Sequence, residues 1–321
     1  MDSKSLYKHK VNNLIHSVLI FTGMILLVSF LGWSIGGTQG LKWLFFISIF
    51  MLIMSPRVSS RMILRLYGAR PLHAREVPRL YAALEELTRR ANLPELPSLN
   101  YVPSRMLNAF TMGKRSQAAI AITDGLMRTL DLRELIGVLA HEVSHVRNND
   151  MWIMNLSDIV SRVTSLFSIV GQFLLFLNLP LLLLSGYQVQ WIPILILIFA
   201  PTLTMFMQLA LSRTREFDAD LEAASLTGDP EGLASALAKM ERYQGGFLRR
   251  ILFPGHRNPH PSVLRTHPET EERIKRLLSL VDKKPTHIPI QSLFDEGVPG
   301  MPMGLMQVQK NPRWRIGGLW Y

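Results

Sequence analysis

Cysteine is absent from this 321-residue chain, which excludes disulfide stapling and removes thiolates from any list of metal ligands. Charge is scarce as well. Asp, Glu, Lys and Arg make up 18% of the residues, where a soluble protein carries about a quarter. The shortage is local: Val163 to Ser212 contains no Asp, Glu, Lys, Arg or His, and Val11 to Gln39 contains only His16. Internal repeats are missing. So is any aromatic–basic interleaving or nucleic-acid motif, although the formal net charge is +11. Nucleic acid is therefore excluded as a partner, and attraction to an anionic bilayer surface accounts better for the positive balance.

What fills the charge-poor stretches is hydrocarbon. Leu14–Ile35 follows a basic start (Lys4, Lys8, Lys10) and is long enough to cross about 30 Å of bilayer. A signal peptide has the same outline, but this run is longer than a signal core and no A-x-A-like site follows it. Gly36–Gly40 reads as an uncharged turn into a return helix, Leu41–Ser55, with Trp33, Trp43 and Lys42 placed as interfacial anchors. Pro56 ends it. Val163–Leu184 and Trp191–Leu211 form a second pair, whose prolines (Pro180, Pro193, Pro201) membrane helices tolerate. Gln172, Asn178 and Gln208 speak instead for a hairpin buried in a soluble core, but the length favours spanning. Four crossings are expected. Lys/Arg bias at the N-terminus, from Arg57 and from Arg213 puts both termini and the polar segments in the cytoplasm.

The polar segments carry the chemistry. Arg75–Ala91 patterns as an amphipathic helix through Val77, Leu80, Leu84 and Leu87, and Pro94 and Pro97 break it. Leu99–Val102 and Gln117–Thr123 read as strands. Between them Asn108-Ala109-Phe110 fits either an exposed strand edge or an ordinary hairpin. A helix then begins near Asp131, where Asp131 and Glu134 have capping-box spacing. It contains His141-Glu142-Val143-Ser144-His145, an H-E-x-x-H sequence. Histidines at i and i+4 project from one helix face, so two neutral imidazoles can reach one divalent ion. Glu142 stands beside them as a proton acceptor for an activated water. The alternative is an amphipathic helix with two surface histidines.

A third ligand is sought among carboxylates and the remaining histidines. Glu216 and Asp220, in Ser212–Asp220, lie one turn apart on an expected helix. One can bind a metal while the other accepts the free N–H of a ligand histidine; a solvated acidic face is the other reading. Spacing alone does not say which carboxylate does which.

H-E-V-S-H at 141–145, S-R-T-R-E-F-D-A-D at 212–220, N-A-F at 108–110 and T-H-P at 266–268 together resemble the HtpX family of membrane-bound zinc metalloproteases, gluzincins related to the CAAX prenyl-protein endoproteases. The resemblance runs from the first apolar segment to about residue 281. It implies one Zn2+ per chain held by His141, His145 and Glu216, with Glu142 as general base and Asp220 as partner of a ligand histidine. It also implies that Asn108, Ala109 and Phe110 pair with substrate backbone. His267, at the start of a helix with Thr266 and Glu269 spaced as a capping box, is expected to stabilise the oxyanion; the alternative is a solvated helix-start histidine.

The resulting expectation is a mainly helical α+β, zincin-like catalytic domain with a small β-sheet, attached to four membrane helices. Its parts are a membrane hairpin (1–56), the first catalytic half (57–150), a second hairpin (158–211), the second catalytic half (212–282) and a flexible tail (283–321). Expected partners are protein or peptide substrates and the lipid bilayer, in a prokaryotic plasma (inner) membrane. The expected activity is endoproteolysis of misfolded or damaged membrane proteins. CAAX-type processing and a membrane adaptor with a structural zinc are the rivals. Substrate identity and oligomeric state are not legible.

Overall fold

The structure is a computed structural model that describes residues 3–54, 60–185, 191–244, 270–281 and 290. His256, His260, His267 and the Thr266–Glu269 pair lie outside the described residues, as does the 283–321 tail apart from Ile290. The chain divides into two compact units. One comprises Val11–Arg57 and Trp152–Arg215, the other Met1–Lys10, Val58–Met151 and Glu216–Tyr321.

The apolar runs form long helices: α1 (Ser3–Met54), α6 (Asp150–Ser185) and α7 (Trp191–Thr227). Among the described residues three helices are thus long and apolar enough to cross a bilayer, where four crossings were expected. The difference lies in α1, which carries both N-terminal runs and is broken at Gly36 and Gly37, the latter at φ +55°. In a straight helix Gly32 and Leu44 would stand about 18 Å apart. Here a Cβ on Gly32 would lie 3.1 Å from Leu44 Cδ2, and one on Gly40 would overlap the Gly32 carbonyl oxygen. The chain therefore doubles back, and only glycine permits the approach of the two arms. Val28 and Leu44 pack with Ile159 and Val163, and Leu31 packs with Leu197 and Ala200. Outward-facing residues such as Trp43, Phe50, Phe176 and Phe199 remain exposed, as lipid-facing residues do. Buried Ser168 is satisfied across the helix pair, its Oγ donating to the Ile198 carbonyl at 3.0 Å.

The other unit is built on a four-stranded sheet and the helices that cover it. Its elements are α2 (Ser60–Leu66), β1 (Arg70–Pro71), α3 (Pro78–Arg90), β2 (Ser98–Val102), β3 (Ala109–Met112), β4 (Ala119–Thr123), α4 (Asp124–Thr129) and α5 (Leu132–Asn148). The C-terminal part of α7, α8 (Pro230–Gln244) and α9 (Thr270–Leu278) complete it. The strand order is β1-β2-β4-β3; β2 and β4 are parallel, and the two outer pairs are antiparallel. Small and β-branched residues make β4 wholly buried, so it lies inside the sheet. Asn108-Ala109-Phe110 enters β3, which among the described residues pairs with β4 alone and is an edge strand. The sequence predicts a helix from Glu216 to about Tyr243; it is split between α7 and α8, because Gly228 takes φ +71° and Pro230 starts a new helix.

Leu80, Leu84 and Leu87 of α3, Ile120 and Ile122 of β4, and Leu135 and Leu139 of α5 form the centre of the core. Ile290 joins them, and its N–H donates to the Thr227 carbonyl at 3.1 Å. At Gly137 a Cβ would come within 2.8 Å of Leu233 N, so α5 meets α8 backbone to backbone. That contact sets the depth at which α5 carries its histidines.

Candidate metal centre

The α5 helix starts where its sequence says. Asp131 accepts the Glu134 N–H at 2.9 Å and the Glu134 carboxylate accepts the Asp131 N–H at 2.9 Å, closing the capping box. Glu134 is buried, and it also accepts Ser235 Oγ at 2.6 Å and Lys239 Nζ at 2.7 Å. Burial works against its charged form, but those donors outweigh it and hold the carboxyl below its ordinary pKa. Every residue from Glu134 to Val146 is buried, so the H-E-x-x-H face points into protein.

There His141 and His145 turn their rings edge to face with Nε2 atoms 3.1 Å apart. From α7 comes Glu216, its carboxylate oxygens 3.4 Å from His141 Nε2 and 3.8 Å from His145 Nε2. One donor atom from each of the three residues lies within 4.8 Å of the others. A tetrahedral ion with bonds of about 2.0–2.1 Å separates neighbouring ligand atoms by roughly 3.3 Å, so the spacing suits one metal ion.

Carboxylates also stand at the opposite ring nitrogens. His141 Nδ1 is 3.0 Å from Asp220 Oδ1, and His145 Nδ1 is 2.7 Å from Asp150 Oδ2. A carboxylate at Nδ1 fixes the tautomer that leaves Nε2 free to bind. Asp150 reaches its position because α5 ends at Asn149, in the left-handed conformation at φ 55°, and α6 begins on the next residue. From α9, buried Arg273 donates Nε and Nη2 to the two Asp220 oxygens at 2.7 Å each, with Nη1 3.2 Å from Glu216 Oε2. Three carboxylates thus touch two imidazoles, offset by this guanidinium, and the excess of negative charge favours a cation. Burial opposes charge on His141, but the adjoining Asp220 and Glu216 carboxylates prevail and lift its pKa to about 10.

Glu142 faces the edge strand: Thr111 Oγ1 on β3 donates to its Oε2 at 2.6 Å. Asn148 Nδ2 donates to Glu222 Oε2 at 2.7 Å, and Arg147 also pairs with Glu222, tying the end of α5 to α7. Of the residues singled out from sequence, the structure gathers His141, Glu142, His145, Glu216 and Asp220, and puts Ala109 and Phe110 on the sheet edge with Asn108 just before it. His267 falls outside the described residues. Asp150, Arg273 and Thr111 were not foreseen. Asp150 alone left a local trace, an Asp five residues beyond the second histidine at the helix exit.

Long apolar helices and a His–His–Glu group suited to a metal ion agree with the family match, which makes the chain a membrane-anchored metalloprotease. Residues 74–281 match peptidase family M48, and the chain belongs to that family in its HtpX-like form. It is 35% identical over 283 residues to the Protease HtpX homolog of Aquifex aeolicus (strain VF5), covering 82% of this chain and 90% of the relative. The homolog of Salinibacter ruber (strain DSM 13855 / M31) is 35% identical over 278 residues, 83% of this chain and 97% of its own. That of Burkholderia ambifaria (strain MC40-6) is 32% identical over 287 residues, 84% and 97% of the two chains. A crystal structure of S. mikatae Ste24p aligns with TM-score 0.44 at 21% identity, over 84% of this chain and 66% of that one.

Proposed function

We propose that the chain is a zinc-dependent endopeptidase of membrane protein quality control, cutting misfolded or damaged membrane proteins. The observation that carries the zinc assignment is the facing pair of Nε2 atoms, 3.1 Å apart beside Glu216, with each ring backed by a carboxylate. Nitrogen and oxygen donors with no thiolate suit zinc, and three protein ligands leave a place for water, as in catalytic rather than structural sites. Zinc bound there would polarise a peptide carbonyl and lower the pKa of a water.

The protein's own groups do the rest. Glu142 accepts a proton from the attacking water as the oxygen–carbon bond forms. It returns that proton to the nitrogen as the carbon–nitrogen bond breaks, so the base is regenerated. Asp220 and Asp150 keep the two rings in the ligating tautomer, and Arg273 holds Asp220 and Glu216 against their mutual repulsion. Asn108, Ala109 and Phe110 offer the free side of β3 to an extended substrate, whose backbone adds as a further strand. By family resemblance His267 donates a hydrogen bond to the developing oxyanion. The two arms of α1 cross separately, giving four crossings, with the catalytic unit in the cytoplasm of a prokaryotic cell and the plasma membrane as its site. Reporter fusions at Gly37 should then report the outside, and fusions at Arg70 the cytoplasm.

The reading is tested by metal analysis of the detergent-purified chain together with casein cleavage before and after chelation. About one zinc per chain is expected, with activity lost to the chelator and restored by zinc. A chain that cleaves casein after complete removal of metal would overturn it.

A further inference from the structure

We propose that Thr111 is a positioning residue for Glu142, so that the strand offered to substrate also sets the aim of the base. The inference rests on the general-base reading above and adds a residue that no H-E-x-x-H pattern contains. Thr111 Oγ1 donates to Glu142 Oε2 at 2.6 Å, with the Glu142 carbonyl oxygen 3.3 Å away. The shorter contact has the length of a charge-assisted O–H···O⁻ bond, about 2.5–2.7 Å, and carries the hydroxyl's single hydrogen.

Three features make this a device rather than a chance contact. Glu142 is buried on a helix whose residues from Glu134 to Val146 are all buried, so its backbone is fixed, but a glutamate side chain keeps three rotatable bonds. Thr111 is β-branched, which leaves its χ1 stiff. Its backbone is locked in register, Thr111 opposite Ile120 with Phe110 opposite Ala121, against the fully buried β4. A rigid donor therefore holds one oxygen of a flexible carboxylate and leaves Oε1 to meet the water. Alternation along β3 gives the division of labour: Thr111 faces α5, while Phe110, its neighbour, faces away and meets the Tyr67 ring at 5.4 Å. A peptide pairing with the free side of β3 lies on the same four residues, Ala109–Met112, that carry this hydroxyl. Strand and base are thus set in one frame, and a shift of the strand moves both.

Geometry of this kind matters because a displacement of about 1 Å in a reacting group can cost roughly a hundredfold in rate. Thr111→Val keeps the branching and volume and removes only the donor; Thr111→Ser keeps the donor. Steady-state cleavage of a fluorogenic peptide should show Thr111→Val with kcat lowered about ten- to a hundredfold and KM within a factor of about two. Zinc content and unfolding midpoint should match the parent, and Thr111→Ser should recover most of the lost kcat. Glu142→Gln, run alongside, separates the two claims. If Glu142→Gln is inactive and Thr111→Val turns over at the parent rate, the positioning role is overturned and the base stands. If Glu142→Gln turns over normally, both fall. A Thr111→Ser protein no better than Thr111→Val also overturns the role, since the loss would then follow strand packing and not the hydroxyl.

Discussion

Asp220→Asn separates two jobs that the geometry gives to one carboxylate. Asp220 lies 3.0 Å from His141 Nδ1 and accepts two hydrogen bonds of 2.7 Å from Arg273. Replacing it by the amide weakens the hold on the ring's tautomer, and losses of that kind lower metal affinity about ten- to a hundredfold. The other effect needs no metal. Breaking a buried ion pair by removing one partner costs about 3–5 kcal/mol, because the remaining charge stays buried. Here the amide oxygen still accepts one bond, and Glu216 Oε2 remains 3.2 Å from Arg273 Nη1. The lower end applies, about 3 kcal/mol, which for a protein of this size lowers the unfolding midpoint by about 4–5 °C. Asp150→Asn is the comparison: it removes the 2.7 Å partner of His145 Nδ1 and should weaken zinc by a similar factor, while Arg273 keeps its two bonds to Asp220. Metal-stripped proteins in detergent are followed by tryptophan fluorescence on heating, and zinc is titrated against a competing chelator. A stripped Asp220→Asn protein with the parent's midpoint would refute the role given to Arg273. Unchanged zinc affinity would refute the role given to Asp220.

Glu216→Ala should leave the dialysed protein without zinc; one equivalent retained would move the third ligand elsewhere. Gly137→Ala places a Cβ 2.8 Å from Leu233 N and should cost about 1–3 kcal/mol, read as a lower unfolding midpoint, because two backbones must part. Glu134 has a depressed pKa in the fold, so its contribution to stability is fully present above the ordinary 4.5 and is lost as pH falls below that value. Unfolding midpoints measured between pH 6 and pH 3 should therefore fall less steeply in Glu134→Gln than in the parent, and equal slopes would remove Glu134 as a source of the acid sensitivity.

Much of the frame was legible because its signals are local. Capping-box spacing at Asp131 and Glu134, apolar runs without charge, and the continuous apolar stretch around Ile120 each depend on a few consecutive residues. Glu216 and Asp220 were legible as a pair because one helical turn brings them to one face. What sequence did not give was decided by tertiary contact. Strand β1 is two residues, Arg70–Pro71, too short for any pattern, and it exists because β2 offers it an edge. Thr111 meets Glu142 across 31 positions and Arg273 meets Asp220 across 53, and separations of that size leave no trace in spacing. In sequence Asn148, Asn149 and Asp150 only close the polar part before the apolar run, because it takes the left-handed turn at Asn149 to send the Asp150 carboxylate back to His145. The break between α7 and α8 was visible as Gly228-Asp229-Pro230, and helical periodicity on both sides outweighed it.

The central claim is that His141, His145 and Glu216 hold the metal while Glu142 moves the proton, and Glu142→Gln tests it most directly. The substitution keeps volume and all three ligands and removes only the basic oxygen. The purified variant should bind about one zinc per chain, as the parent does, while casein cleavage falls by at least about a thousandfold. Zinc bound at the parent's level with cleavage at the parent's rate would contradict it.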